Sequence, residues 1–169
     1  MPYVISSVLY KDTQIQYIAQ KFHKHNHFMF LGRGINYPTA LEGALKLKEI
    51  SYIHATGYAA GEMKHGPLAL IDENWPVVVI NPKTSVYEKT FSNAHEVYTR
   101  GGKIISVVSE RDEKMKEISQ EIIEIPEVDE FLTPIVSIIP LQLLAYHIAN
   151  LRGCDVDKPR NIAKVITVP

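Results

Sequence analysis

Two apolar segments of high β-propensity, Trp75–Ile80 and Lys103–Val108, enclose a helical pattern over Thr84–Arg100, and that alternation constrains the fold most. Strands separated by a helix-length segment are joined by a crossover rather than a hairpin, which favours parallel pairing. Arg100-Gly101-Gly102 is a helix stop that leads at once into the second strand, as such a unit requires. His27–Leu31 and Glu121–Ile125 are shorter strand candidates, and Thr13–His23, Tyr37–Tyr52 and Ile135–Leu151 carry helical patterns. Residues 110–119 read as a short, charged surface helix. No internal repeat, low-complexity tract or linker interrupts the pattern. The expected fold is a single three-layer α/β domain, a mostly parallel sheet flanked by helices, with an N-terminal helix packed against it.

At 169 residues the chain is long enough to bury one core without disulfides or a metal. Its net charge of −1, from 18 basic and 19 acidic residues, creates no global field for nucleic acid or an anionic membrane. The longest apolar run, near the C-terminal helix, is broken by Gln142 and His147, which argues against a membrane span. No secretory signal pattern opens the chain. Cys154 is the one cysteine, without a disulfide partner or neighbouring ligands at zinc spacing; it reads as structural and suits a reducing cytoplasm.

Several segments carry residues able to do chemistry. Leu31-Gly32-Arg33-Gly34 follows a strand and precedes a helix, where free backbone N–H groups can hold a ligand. It lacks a Walker or dinucleotide fingerprint, and a tight turn explains it equally well. Glu42, Lys46 and Glu49, spaced by four and three residues, share one helix face, while Leu41, Ala44, Leu45 and Ile53 supply apolar packing. The trio is either an exposed ion-pair ladder or, facing a cleft, a proton-transfer carboxylate beside a cation. Gly57–Pro67 is rich in small residues and irregular at its end, so His65, before Gly-Pro, projects from a turn as a candidate acid/base. His54, His95 and His147 read as packed or surface residues. His23, His25 and His27 invite a metal reading but lack carboxylate support, so no metal is assigned. In Asn81-Pro82-Lys83-Thr84-Ser85 the hydroxyls stand at a helix start, where an N-cap role is favoured over phosphate binding.

The end of the chain, Asp157-Lys158-Pro159-Arg160-Asn161-Ile162-Ala163-Lys164-Val165-Ile166-Thr167-Val168, is stiffened by its proline and suggests a segment folded back over a site. Lys164 there is a phosphate-facing cation, an amine that attacks a carbonyl, or part of a solvated basic tail. Three stretches taken together narrow the choice: Leu31–Ala55 with its Glu-Gly-Ala-Leu-Lys-Leu-Lys-Glu core, Tyr58–Leu70, and Asp155–Val168 with Lys-Pro-Arg-Asn-Ile-Ala-Lys. They resemble the C-terminal half of the glutamine–fructose-6-phosphate aminotransferase (isomerizing), or glucosamine-6-phosphate synthase, family, over nearly the whole chain. In that family this half is the second of two sugar-isomerase (SIS) domains, each a five-stranded parallel sheet flanked by helices.

The resemblance implies roles. Glu49 would move a proton between C1 and C2 of open-chain fructose 6-phosphate. Lys46 would stabilise negative charge one turn away, with Glu42 behind it. His65 would help to open the sugar ring, reaching into the site of a neighbouring subunit of a homodimer. Lys164 would form the Schiff base with the sugar carbonyl, with Ala163 beside it on the substrate. No cofactor or metal is implied. The partners implied are the first SIS domain and a glutaminase domain that supplies ammonia for glucosamine 6-phosphate, with the chain a fragment or separately expressed domain carrying a catalytic-type tail over residues 155–169.

Two departures qualify that picture. Asn81–Ser85 lacks the Ser-x-Ser-Gly style of the phosphate-gripping loops, and Pro169 stands where the family ends in glutamate. A non-catalytic phosphosugar-binding or dimerising SIS module is the competing expectation, and a free-standing phosphosugar isomerase of another SIS type a third.

Overall fold

The computed structural model describes residues 1–162. Five strands form one all-parallel sheet in the order β2-β1-β3-β4-β5: β1 His27–Gly32, β2 His54–Ala59, β3 Pro76–Asn81, β4 Lys103–Ser109 and β5 Glu121–Ile125. The central strands are buried on both faces, which is why they read as continuous apolar runs. Their side chains still alternate. Phe28, Phe30, Val78, Ile80, Ile105 and Val107 enter one core, and Met29, Leu31, Val77, Val79, Ile104 and Val108 the other.

Helices α1 Pro2–Leu9, α2 Asp12–Phe22, α3 Tyr37–Ser51 and α6 Thr133–Leu151 cover the first face. Helices α4 Tyr87–Tyr98 and α5 Glu113–Ile118, with the 3₁₀ segment Ala60–His65, cover the second. The segment Glu130–Leu151, with mean hydropathy 1.6, is long and apolar enough to cross a membrane; α6 instead packs among α1, α2 and α3, half of the segment buried. His147 is one of its buried polar residues and hydrogen-bonds Asp12 Oδ1 through Nε2 at 2.7 Å, joining α6 to α2.

Two elements lie where the sequence shows no clear signal. Edge strand β2, His54–Ala59, has no counterpart among the expected strands, and it takes in the Gly57–Ala59 start of the small-residue segment that reads as irregular at its end. A Cβ at Gly57 would come within 2.9 Å of the Leu41 backbone, so close helix packing demands the glycine that weakens the strand signature. Helix α1 begins with Pro2 in its first turn and buries only Val8, too little apolar periodicity to read. The expected helix over Thr84–Arg100 is shorter, α4 starting at Tyr87.

Candidate active site

Helix α3 runs back along β1 and carries the charged trio on its outer face. Lys46 Nζ lies 2.7 Å from Glu49 Oε2 and 3.5 Å from Glu42 Oε1. The side chains are 33%, 28% and 44% exposed for Lys46, Glu49 and Glu42, so the trio is neither sealed nor fully solvated. The Glu49 hydrogen bond and the charges of both carboxylates hold the Lys46 ammonium above the usual lysine range, against the opposing effect of burial. Lys46 is therefore a fixed cation beside Glu49, and negative charge developing nearby would meet it.

The packing of α3 differs from expectation in one respect. Ala44 and Ile53 are buried, but Leu41 and Leu45 are 42% and 41% exposed. They flank the trio on the outer face instead of entering the core. Beside Glu42 an apolar groove of about 310 Å³ continues the same surface, lined by Pro38, Pro134, Ile135 and Ile138. Charged groups bordered by exposed leucines form a surface suited to being covered.

His65 does not join the trio. Its segment buries Met63 in the α4–α5 core and ties Lys64 to Glu96 of α4 at 2.7 Å, whereas α3 buries Ala40, Ala44 and Leu47 in the opposite core. The imidazole and the Glu49 carboxylate thus belong to different layers of the molecule. The His65 side chain is 75% exposed, 3.9 Å from Glu62 Oε2, and projects from a turn closed by Gly66 at φ 144°.

At the carboxyl ends of the strands, Leu31-Gly32-Arg33-Gly34 resolves as a tight turn. A Cβ at Gly32 would sit 2.2 Å from the Asn36 carbonyl oxygen. Arg33 donates to Asn93 Oδ1 at 3.3 Å. The neighbouring loop corrects the N-cap expectation: the residue before α4 is Val86, with no side-chain cap, and Ser85 serves another element. The Ser85 amide and hydroxyl donate to Glu130 Oε2 and Oε1 at 3.0 and 2.7 Å. A cavity of about 440 Å³ nearby is lined by Lys83, Tyr87, Arg111, Asp112 and Lys114 among others. There Tyr87 donates to Asp112 Oδ1 at 2.7 Å, and burial followed by that carboxylate raises the phenol above its ordinary range. The histidines at 23 and 25 bond the carbonyls of Gln20 and Asn74, and His27 stacks on Trp75, so their rings serve packing. Cys154 is half-buried, its thiol 3.8 Å from the Ser51 carbonyl oxygen.

Beyond α6 the chain turns back towards α3. Asp155 Oδ1 accepts from the amides of Asp157 and Lys158, and the Arg160 amide donates to the Tyr52 hydroxyl at 2.9 Å. The described part of the tail, to Ile162, meets Tyr52 at the end of α3 through Arg160; the expected fold over a site falls on residues beyond it. Ala163 and Lys164 lie outside the described residues.

A family model described as "SIS domain" matches residues 21–152. The chain belongs to the SIS domain family. Its five-stranded parallel sheet between helical layers is the architecture that the resemblance implied. This SIS domain is 56% identical, over 99% of its length, to the glutamine–fructose-6-phosphate aminotransferase (isomerizing) of Thermus thermophilus, and 55% identical to that of Aquifex aeolicus. It spans 28% of the length of each relative. The solved C-terminal domain of glucosamine–fructose-6-phosphate aminotransferase from Francisella tularensis superposes with a TM-score of 0.85 at 47% identity, over 92% of this SIS domain and 44% of that chain. The sugar isomerase domain of the RpiR transcription factor from Sphaerobacter thermophilus shares the fold at 15% identity, TM-score 0.73, covering 88% of this SIS domain and 85% of that chain. At that identity the likeness shows the fold alone.

Two features of the site had no clear sequence signal. Leu41 and Leu45 sit at helical positions that read equally as core. Tyr52 acts through a contact with a residue more than a hundred positions away.

Proposed function

We propose that the chain is the isomerase-half SIS domain of a glutamine–fructose-6-phosphate aminotransferase, contributing to glucosamine 6-phosphate formation from fructose 6-phosphate and glutamine-derived ammonia. The observation that carries this reading is the Glu42–Lys46–Glu49 face, a carboxylate held against a fixed ammonium and bordered by exposed leucines. The similarity to aminotransferases over 99% of the chain supports the same reading.

The Lys164 amine condenses with the sugar carbonyl to an imine, releasing water. Ammonia supplied by the glutaminase domain adds to that imine at C2 and expels the lysine amine, leaving an ammonia-derived imine. This acidifies the adjacent C1–H, and Glu49 accepts that proton and returns it to C2, so that the new nitrogen stays as the 2-amino group and C1 becomes the aldehyde. Lys46 holds Glu49 as the carboxylate before the transfer and stabilises the negative charge that builds on the enediol framework, with Glu42 holding the ammonium from its other side. Ala163 lies against the substrate beside Lys164. His65, on the opposite layer from Glu49, serves ring opening in the site of the second copy of a homodimer. The apolar border of α3 is covered by the first SIS domain, which supplies the phosphate grip, and the protein works in the cytoplasm.

Lys164→Arg in the full-length enzyme tests the assignment, because it retains the charge and abolishes imine formation. Borohydride should trap fructose 6-phosphate on the wild-type lysine and nothing on the variant, with synthesis lost. Undiminished synthesis by the variant would refute the Schiff-base role. No trapping by wild type, with sugar bound, would favour a non-catalytic phosphosugar-binding module.

A further inference from the structure

Helix α3 ends at Tyr52 in the left-handed conformation, φ 61° and ψ 20°. Glycine or asparagine usually ends a helix this way, because a bulky side chain there is strained. The tyrosine spends its side chain on a single target. Its hydroxyl accepts the Arg160 amide at 2.9 Å, and its ring lies under the Arg160 guanidinium, 4.1 Å from the centroid. An unfavoured residue is thus kept where its two ends grip one point of the tail.

We propose that Tyr52 is the docking post for the C-terminal tail, a positioning residue that acts through Arg160 and not on substrate. The purpose of the docking rests on the proposed function. Tyr52 is three residues past Glu49 on α3, and Lys164 follows Arg160 by four residues, which span at most about 14 Å when extended. Fixing Arg160 therefore sets where the remaining tail starts, at the end of the helix that carries the proton-transfer carboxylate. Anchoring of this kind raises the effective concentration of a tethered group. The Asp155 turn, whose carboxylate bonds the amides of Asp157 and Lys158, directs the chain to the same post.

The experiment is native-state trypsin cleavage of the whole chain at Arg160–Asn161, read by mass spectrometry beside the thermal midpoint. Tyr52→Gly removes both grips and suits the backbone, so cleavage should accelerate about tenfold while the midpoint holds or rises. Tyr52→Phe keeps the ring and loses the acceptor, giving an intermediate acceleration in a fold-neutral variant. Wild-type cleavage rates in both variants, or acceleration matched by a fall in the midpoint, would overturn the proposal. In the full-length enzyme, Tyr52→Gly should slow borohydride trapping at Lys164, and an unchanged rate overturns the positioning role. Absence of trapping in wild type itself would instead count against the proposed function and leave the cleavage result standing.

Discussion

The outer face of α3 and the loops over the carboxyl ends of β3 and β4 are built from similar residues and differ in what those residues hold. On α3, Lys46 is shared between two carboxylates of the same helix, and the surface continues into exposed leucines. Over β3 and β4, the groups that could grip a phosphate are engaged by the domain itself. Ser85 binds Glu130, Lys83 binds Glu127 at 2.7 Å, and Lys114 binds Glu88 at 2.6 Å. The strand-end loops, where ligands commonly sit in such sheets, pair Ser85, Lys83 and Lys114 with carboxylates of other segments, while α3 pairs its lysine within its own helix beside exposed leucines. Both regions commit their lysines to carboxylates, so neither residue type nor ion pairing separates them; the exposed leucines beside the α3 trio do.

The sharpest test of that contrast is Glu49→Gln. If α3 carries the chemistry, the full-length enzyme should lose about 10²–10⁴-fold in turnover, the usual worth of a general base. The thermal midpoint of the domain should hardly move, since a partly exposed ion pair contributes about 0.5 kcal/mol or less. A stability loss in proportion to the activity loss would place Glu49 in the scaffold.

Asp112→Ala should show the opposite profile. Asp112 is 6% exposed, caps α5 through the Met115 amide at 3.0 Å, and accepts from Tyr87. Losing the cap and leaving the half-buried phenol without its acceptor should cost about 2 kcal/mol, read from denaturant midpoints. Synthesis by the folded fraction of the full-length enzyme should be retained. Loss of turnover without loss of stability would move the chemistry to the strand-end cavity.

How much of this was legible in the sequence depended on the range of the interactions involved. Glu121–Ile125 forms β5 at the expected bounds, and the Glu42–Lys46–Glu49 face follows from helical spacing. Both rest on contacts within a few residues or on simple burial. The same spacing could not say that Leu41 and Leu45 would be exposed, because that depends on where α6 and β2 pack. Ser85 reads as a helix cap until Glu130, forty-five residues on, takes its hydroxyl and amide. The separation of His65 from Glu49 is a property of the sheet, which puts their elements on opposite faces.

Glu130→Ala probes the strand-end loops directly. Removing the carboxylate frees the Ser85 amide and hydroxyl at a modest stability cost of about 1 kcal/mol. In an NMR titration with inorganic phosphate, the Ser85 amide of the wild-type chain should stay in place and that of the variant should shift. A shift already present in wild type would mean that Glu130 does not close the loop, and the two regions would then be equally available.

The smallest expected effect concerns the α3 face at high pH. Lys46 is held above the ordinary lysine value of 10.5, first by its hydrogen bond to Glu49 and then by the two carboxylate charges, despite some burial. A raised folded-state value means that the ammonium form is favoured by folding. Its stabilisation is therefore complete below the unfolded value and disappears as pH climbs through the folded one. Comparing wild type with Lys46→Met should give a gap of about 0.5 kcal/mol near neutrality, because partly exposed pairs at this spacing are weak. That gap should persist to about pH 10 and close above it. Added salt should narrow it at neutral pH, since exposed pairs are screened. A gap independent of both pH and salt would assign the contribution of Lys46 to its aliphatic stem packed on α3, and the fixed charge beside Glu49 would lose its physical support.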